Sequence, residues 1–371
     1  MGLILQFLLL LLLVTYGAAF APNVSPRVRP NTKNPFVGRT TTPSPPRAVI
    51  SLKSNIFDQI NIFRDIGQAS ATPKVKLPDD FVVPEPKPLT ISESTDLFRF
   101  AKNTLALALR LATGTFVLGW KIDTFSYDPE KADSDKQYCL RLGPLAIRDS
   151  SSVLQNAPRP QQPLVLYEYD ASPYCKRVRE TINLLDLTVE YRPCPGARQG
   201  KFSEDLFQKT GRRTVPYLFD PNTNVGLFES SDQIEYLLTT YGPPKEDFDR
   251  KALWPITFEA FSLFTATQVA ILLGIPGGKR QPNARQDNEE MKPLELWGYE
   301  TSPFVRPVRE KLASLCLPHI MVSCARGSAN RDKMVEKMGR FQVPLLVDPN
   351  TGIEMFESAE IEKYLEDVYT I

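Results

Sequence analysis

The chain has 371 residues, with 44 basic and 43 acidic side chains, one histidine and a hydrophobic share of 42%. Near-zero net charge argues against a nucleic-acid partner, and a single histidine (His319) argues against a His-based metal site or triad. The apolar content suffices for packed cores in two or three domains.

The first 19 residues read as a signal peptide: the apolar stretch Leu3 to Val14 is too short to span a membrane and ends in small residues. From Phe20 to Phe57 there are six Arg or Lys, many Ser, Thr and Pro, and no acid, the composition of a transit peptide, extended here to residue 70. The GAA-FAP junction at Ala19 and Phe20 resembles the two-part presequence of algae with secondary plastids, and that resemblance implies a plastid stroma.

Residues 71–160 read as a lead-in segment. Its start, 71–90, is rich in Pro, Lys and Asp and should be extended, while the apolar stretch Phe98 to Trp120, interrupted by Arg99, Lys102 and Arg110, should be a helix. A second apolar stretch, Thr257 to Pro276, follows later. Neither is a clean membrane span, which leaves packing on the rest of the chain or peripheral contact with a membrane.

Residues 164–180, LVLYEYDASPYCKRVRE, align without a gap on 294–310, LELWGYETSPFVRPVRE, with eight identities in seventeen. Residues 215–237 align on 343–365 with twelve identities in twenty-three. One module therefore occurs twice, at 161–241 and 293–371, around a linker at 242–292 with one long helix, Trp254 to Leu273. In each copy an apolar strand (Leu164–Tyr169; Leu294–Tyr299) meets a Ser-Pro helix start. A second strand (188–193; 318–323), a polar helix (203–210; 329–337), a hairpin over DPNT and a closing helix from Ser230 or Ser358 follow, giving the order βαβαββα.

Ser-Pro-aromatic at the first helix, Val-Pro before the third strand and Glu-Ser before the last helix resemble the thioredoxin fold of glutaredoxins and of glutathione transferase amino-terminal domains. The expected fold class is α/β, two thioredoxin-like domains in tandem with extra helical segments. The resemblance implies glutathione as substrate or ligand. Ser172 and Cys175 would be the catalytic pair of the first module, Ser172 donating a hydrogen bond to a bound thiolate and Cys175 standing at the second position of a CxxC pair. Cys175 reads equally as a buried core thiol, and each Ser as a helix cap. Tyr174, Val215, Pro216, Glu229 and Ser230 would bind glutathione in the first module, and Ser302, Val343, Pro344, Glu357 and Ser358 in the second. Pro216 and Pro344 match the family's cis-proline. Val305 replaces the thiol in the second copy, which excludes dithiol exchange there. Cys194 and Cys324, at the ends of the second strands, read as auxiliary thiols or as half-buried thiols of a solvated turn, Arg198 and Arg326 as candidates for the glycyl carboxylate or as part of that turn, and Cys139 and Cys316 as packing. No metal site is expected. The function implied is glutathione-dependent thiol transfer or thiol-disulfide exchange in the plastid, with protein thiols as further partners. The alternative is a non-catalytic interaction protein whose paired folds hold a partner.

Overall fold

The computed structural model describes residues 75, 77–87, 104–105, 107–126, 138–142, 145–196, 200–244, 253, 256, 258–273, 278–285 and 291–371. The proposed leader and transit segments, 1–70, lie outside them, as does Arg198.

The first repeat begins with β4 (Leu164–Glu168), buried on both faces. α1 (Pro173–Leu184) starts where the sequence motif places it: Ser172 is the N-cap and Pro173, lacking an N–H, takes the first turn. β5 (Val189–Pro193), α2 (Lys201–Thr210), β6 (Tyr217–Asp220), β7 (Val225–Leu227) and α3 (Ser230–Thr240) complete the module. The second repeat runs β8 (Leu294–Gly298), α5 (Val305–Ser314), β9 (His319–Ser323), α6 (Asn330–Met338), β10 (Leu345–Asp348), β11 (Ile353–Phe356) and α7 (Ser358–Tyr369), with α4 (Glu259–Leu273) between the modules. Each repeat is the expected βαβαββα unit.

The repeated DPNT turn has a packing cause. The Asn222 amide bridges Gln162 backbone N and O, and Asp220 Oδ2 accepts from the hydroxyls of Tyr236 (2.6 Å) and Tyr241 (2.5 Å). The second copy repeats this: Asn350 bridges Lys292, and Asp348 accepts from Tyr364 and Tyr369, both at 2.6 Å. Each turn thereby fastens the hairpin to the strand before it and to the closing helix.

The two modules share one sheet. Its eight strands run β11-β10-β8-β9-β5-β4-β6-β7. β5 pairs antiparallel with β9, Val189 opposite Met321, Glu190 opposite Ile320 and Tyr191 opposite His319. Glu190 and Ile320 are equivalent positions of the repeat, so the register is that of an isologous dimer written into one chain. An edge strand in each copy is thus paired rather than exposed.

A buried ion lattice crosses this seam. Asp170 and Glu300, equivalent residues after the first strands, each take the arginine of the other module: Arg309 Nε lies 2.5 Å from Asp170 Oδ1, and Arg179 Nε 3.1 Å from Glu300 Oε2. Lys176 Nζ joins Glu300 at 3.1 Å and Arg306 Nη2 joins Asp170 at 3.1 Å. Burial alone would raise both carboxyls, but the facing guanidinium groups outweigh it, holding Asp170 well below the usual range and Glu300 at about 2.

The lead-in segment departs from expectation. Instead of one helix to Trp120, residues 107–109 are helical, turns follow, and Trp120 opens β1 (Trp120–Ser126). With β2 (Leu140–Leu142) and β3 (Leu145–Ser151) it forms an antiparallel sheet of order β1-β3-β2. Positive φ at Leu111 (51°), Ala112 (59°) and Gly114 (82°) turns the chain away from helix here. Trp254 lies outside the described residues, and the linker helix α4 begins at Glu259. Among the described residues no helix is long and apolar enough to cross a membrane.

His319, facing Tyr191 at the seam with ring centroids 5.4 Å apart, is fully buried, and burial lowers its pKa to about 4. The folded state therefore binds fewer protons than the unfolded state between pH 6.5 and 4, and stability is lost as pH falls through that window. Urea unfolding at pH 7, 5.5 and 4.5 should show a loss approaching about 1.4 kcal/mol per pH unit, and His319→Gln should flatten it. An unchanged slope in that variant would remove His319 as the cause.

Candidate functional site

In the first module, Ser172 sits at the amino end of α1, where unpaired N–H groups and the helix dipole favour negative charge. Its hydroxyl accepts from the Cys175 amide at 3.3 Å, and the residue is 3% exposed. Tyr174, beside it, is 49% exposed. Cys175 is fully buried. Burial, then the charge of Glu168, pushes its thiol up to about 12, which opposes nucleophilic use in this conformation.

The Val215–Pro216 bond is cis. Val215 is half-buried, and its neighbours Arg212 and Thr214 are exposed. The loop is held from behind by Gln233, whose Nε2 donates to the carbonyls of Pro216 (3.0 Å), Leu227 (2.9 Å) and Phe228 (3.1 Å). Glu229 is the exposed N-cap of α3, and Ser230, its first residue, is buried with Oγ accepting from Arg177 Nη1 at 3.1 Å. Ser172, Val215, Pro216, Glu229 and Ser230 occupy the helix starts and cis-proline loop of one module. Gln233 and Arg177 were not among the predicted residues. Their one signal is that each is a polar side chain on the inward stripe of its helix.

The second module has the same backbone but a different surface. Val343–Pro344 is also cis, yet Val343 is only 9% exposed. Ser302 is fully buried, with Oγ facing the amides of Phe304 and Val305 at 3.4 Å. The lead-in segment lies against its loop: Thr115 Oγ1 meets Thr301 Oγ1 at 2.8 Å, and Arg326 exchanges backbone hydrogen bonds with Thr115 and Val117. Gly114 is packed so closely that a Cβ there would lie 3.0 Å from Glu300 Cβ. Glu357 adopts φ 73°, and its Oε1 accepts from the Lys87 amide and from Gln342 Nε2, each at 2.7 Å. Ser358 is half-buried. Arg326 is paired with Asp149 at 2.7 Å, so its guanidinium is turned to the lead-in sheet.

The other thiols divide by exposure. Cys194, Cys316 and Cys324 are buried, which raises all three, Cys316 to about 11; Cys139 is half-buried, and all are unpaired. Among the described residues no group of three or more His, Cys, Asp or Glu is placed to hold a metal ion.

Residues 166–245 and 296–370 each match the family model described as glutathione S-transferase, N-terminal domain. Among solved structures, a Bombyx mori glutathione transferase in complex with GTT is similar to this chain at 22% sequence identity and a TM-score of 0.21. The match covers 25% of this chain and 42% of that one. No curated protein matches.

With a pKa of about 12, Cys175 is ionised to roughly one part in ten thousand at pH 8. Iodoacetamide at pH 8 should label Cys139 first and leave Cys175 untouched until the protein unfolds, as read by peptide mass mapping. Equal labelling rates would show that the Cys175 thiol reaches solvent.

Proposed function

Two glutathione S-transferase N-terminal domains, at residues 166–245 and 296–370, share one sheet in this chain, and on that premise we propose that the first binds glutathione while the second is a closed, structural copy. The observation that carries this reading is the contrast between equivalent positions. Val215 is half-buried and Glu229 exposed, whereas Val343 is buried and the Glu357 carboxylate is taken by the chain's own Lys87 amide.

The γ-glutamyl and cysteinyl parts of the ligand have matching features in the first module. The backbone of Val215, ahead of cis-Pro216, offers an N–H and a C=O to the cysteinyl unit as a short strand pairing. The Glu229 carboxylate suits the γ-glutamyl ammonium, and the first amides of α3 suit its carboxylate. Ser172, at the start of α1, is the donor for the thiolate, and Tyr174 flanks it. A hydrogen bond from a neutral hydroxyl to a thiolate lowers the thiol pKa, which is what a glutathione transfer reaction requires. Thiol-disulfide exchange through Cys175 has less support, because that thiol is buried and its pKa is raised. The same burial favours a second reading, a non-catalytic protein that holds a partner along the Val215 edge. The presequence-like amino end supports a plastid location.

Calorimetric titration should give one glutathione per chain. Glu229→Ala should weaken binding roughly tenfold to a hundredfold, the value of a charge-assisted hydrogen bond, and Glu357→Ala should leave it unchanged. Absence of any glutathione binding would leave the partner-holding reading.

A further inference from the structure

The amino end of α3 holds a carboxylate that belongs to the protein itself. Glu259, the first residue of the linker helix α4, accepts through Oε1 from the Ser231 hydroxyl at 3.0 Å and from Arg177 Nη1 at 3.1 Å. Arg177 Nη1 also reaches Ser230 Oγ (3.1 Å) and Ser231 Oγ (3.3 Å). Ser230 and Ser231 are the first two residues of an eleven-residue helix whose N-cap, Glu229, makes no side-chain cap bond, so their amides have no partner within the helix. We propose that Arg177, Ser230 and Ser231 form a carboxylate-binding pocket and that Glu259 is its built-in occupant, displaced when the γ-glutamyl carboxylate of a ligand arrives.

Two observations make the pocket more than a helix terminus. The Arg177 side chain is 2% exposed and turns Nη1 to both serine hydroxyls, so a guanidinium already desolvated stands at the helix start. Glu259 uses a single oxygen on Arg177, while its own side chain is 54% exposed. A one-point pair with a solvated partner is weak, whereas a carboxylate that engages the guanidinium through two oxygens, together with the helix amides, is held more strongly. Release of Glu259 to water is correspondingly inexpensive. The pocket is specific to the first module: at the equivalent positions of the second, Pro307 stands for Arg177 and Ala359 for Ser231, although Ser358 repeats Ser230.

The ligand identity rests on the glutathione reading above, while the pocket itself does not. The test follows the Ser230 and Ser231 amide signals by NMR in full-length parent and Glu259→Gln proteins, with glutathione and, separately, free L-glutamate as probes. Removing the internal competitor should tighten glutathione binding by about fivefold, the scale of an exposed ion pair. It should also move the Ser231 amide at lower concentrations of either probe, and adding Arg177→Lys should cancel the gain. Equal affinity of parent and Glu259→Gln for glutathione, with no change in the Ser231 response, would overturn the proposal and leave the glutathione reading standing. A Ser231 response to glutamate that is enhanced by Glu259→Gln, with no binding of glutathione, would uphold the pocket and end that reading.

Discussion

The crossed pairs Asp170–Arg309 and Glu300–Arg179 are the constraint on which the rest of the arrangement depends. Each carboxylate follows the first strand of its module and takes an arginine from the first helix of the other, beside charges of its own module: Arg309 also lies 2.7 Å from Glu300, and Arg179 also pairs with Glu168. Removing one partner from such a lattice leaves an uncompensated charge in a low-dielectric interior, typically a loss of several kcal/mol. The lattice therefore works less as a source of net stability than as a device that admits one register. The loops carrying Ser172 and Ser302 start two residues beyond Asp170 and Glu300, so the positions of both candidate helix starts are set by the partner module. The pairing of β5 with β9 continues the same symmetry through the backbone.

The two-fold relation is broken by what surrounds it. Residues from the lead-in segment rest on the second module through Phe81 against Tyr364, with ring centroids 5.3 Å apart, through Thr115 against Thr301, and through Arg148 and Asp149 against Asp332 and Arg326. The same segment reaches the first module through Arg110, whose guanidinium pairs with Glu180 and donates to the Ser262 carbonyl of α4, and through Leu118 and Arg159, which donate to the carbonyls of Leu184 and Leu185 at the end of α1. The two copies differ at two equivalent places: Val215 is half-buried and Glu229 exposed, whereas Val343 is buried and Glu357 is bonded to the Lys87 amide. Duplication followed by differential covering leaves two copies of one module with different surfaces, and Pro307 at the position equivalent to Arg177 adds to the difference.

Much of this was legible in the sequence because the repeat supplies its own control: a motif seen twice, such as Val-Pro or DPNT, marks a place the fold uses, and every element of both modules lies within a few residues of its expected range. The seam was not legible. Antiparallel pairing of two edge strands as different as VEYRP and HIMVS leaves no local pattern, and arginines on a helix read as solvated until the partner charge is known. The identical Arg179 and Arg309, three residues after an inward Lys176 or Arg306, were the available signal. The β1-β3-β2 sheet was missed for a related reason: β1 is exposed along most of its length and shows no alternation, so the apolar run ahead of it read as helix. The Ser172 cap and the two cis prolines stand where the motifs mark them, whereas the contact of Lys87 with Glu357 and of Thr115 with Thr301 comes from the lead-in segment and could not be read from the repeat itself.

Native-state hydrogen exchange tests the shared seam most directly. If the crossed ion pairs and the β5–β9 pairing make the two modules one cooperative unit, the slowest amides of β4 and of β8 should exchange through the same opening, with equal free energy and equal denaturant dependence. An opening that exposes the amides of one central strand while the other stays protected would contradict the account.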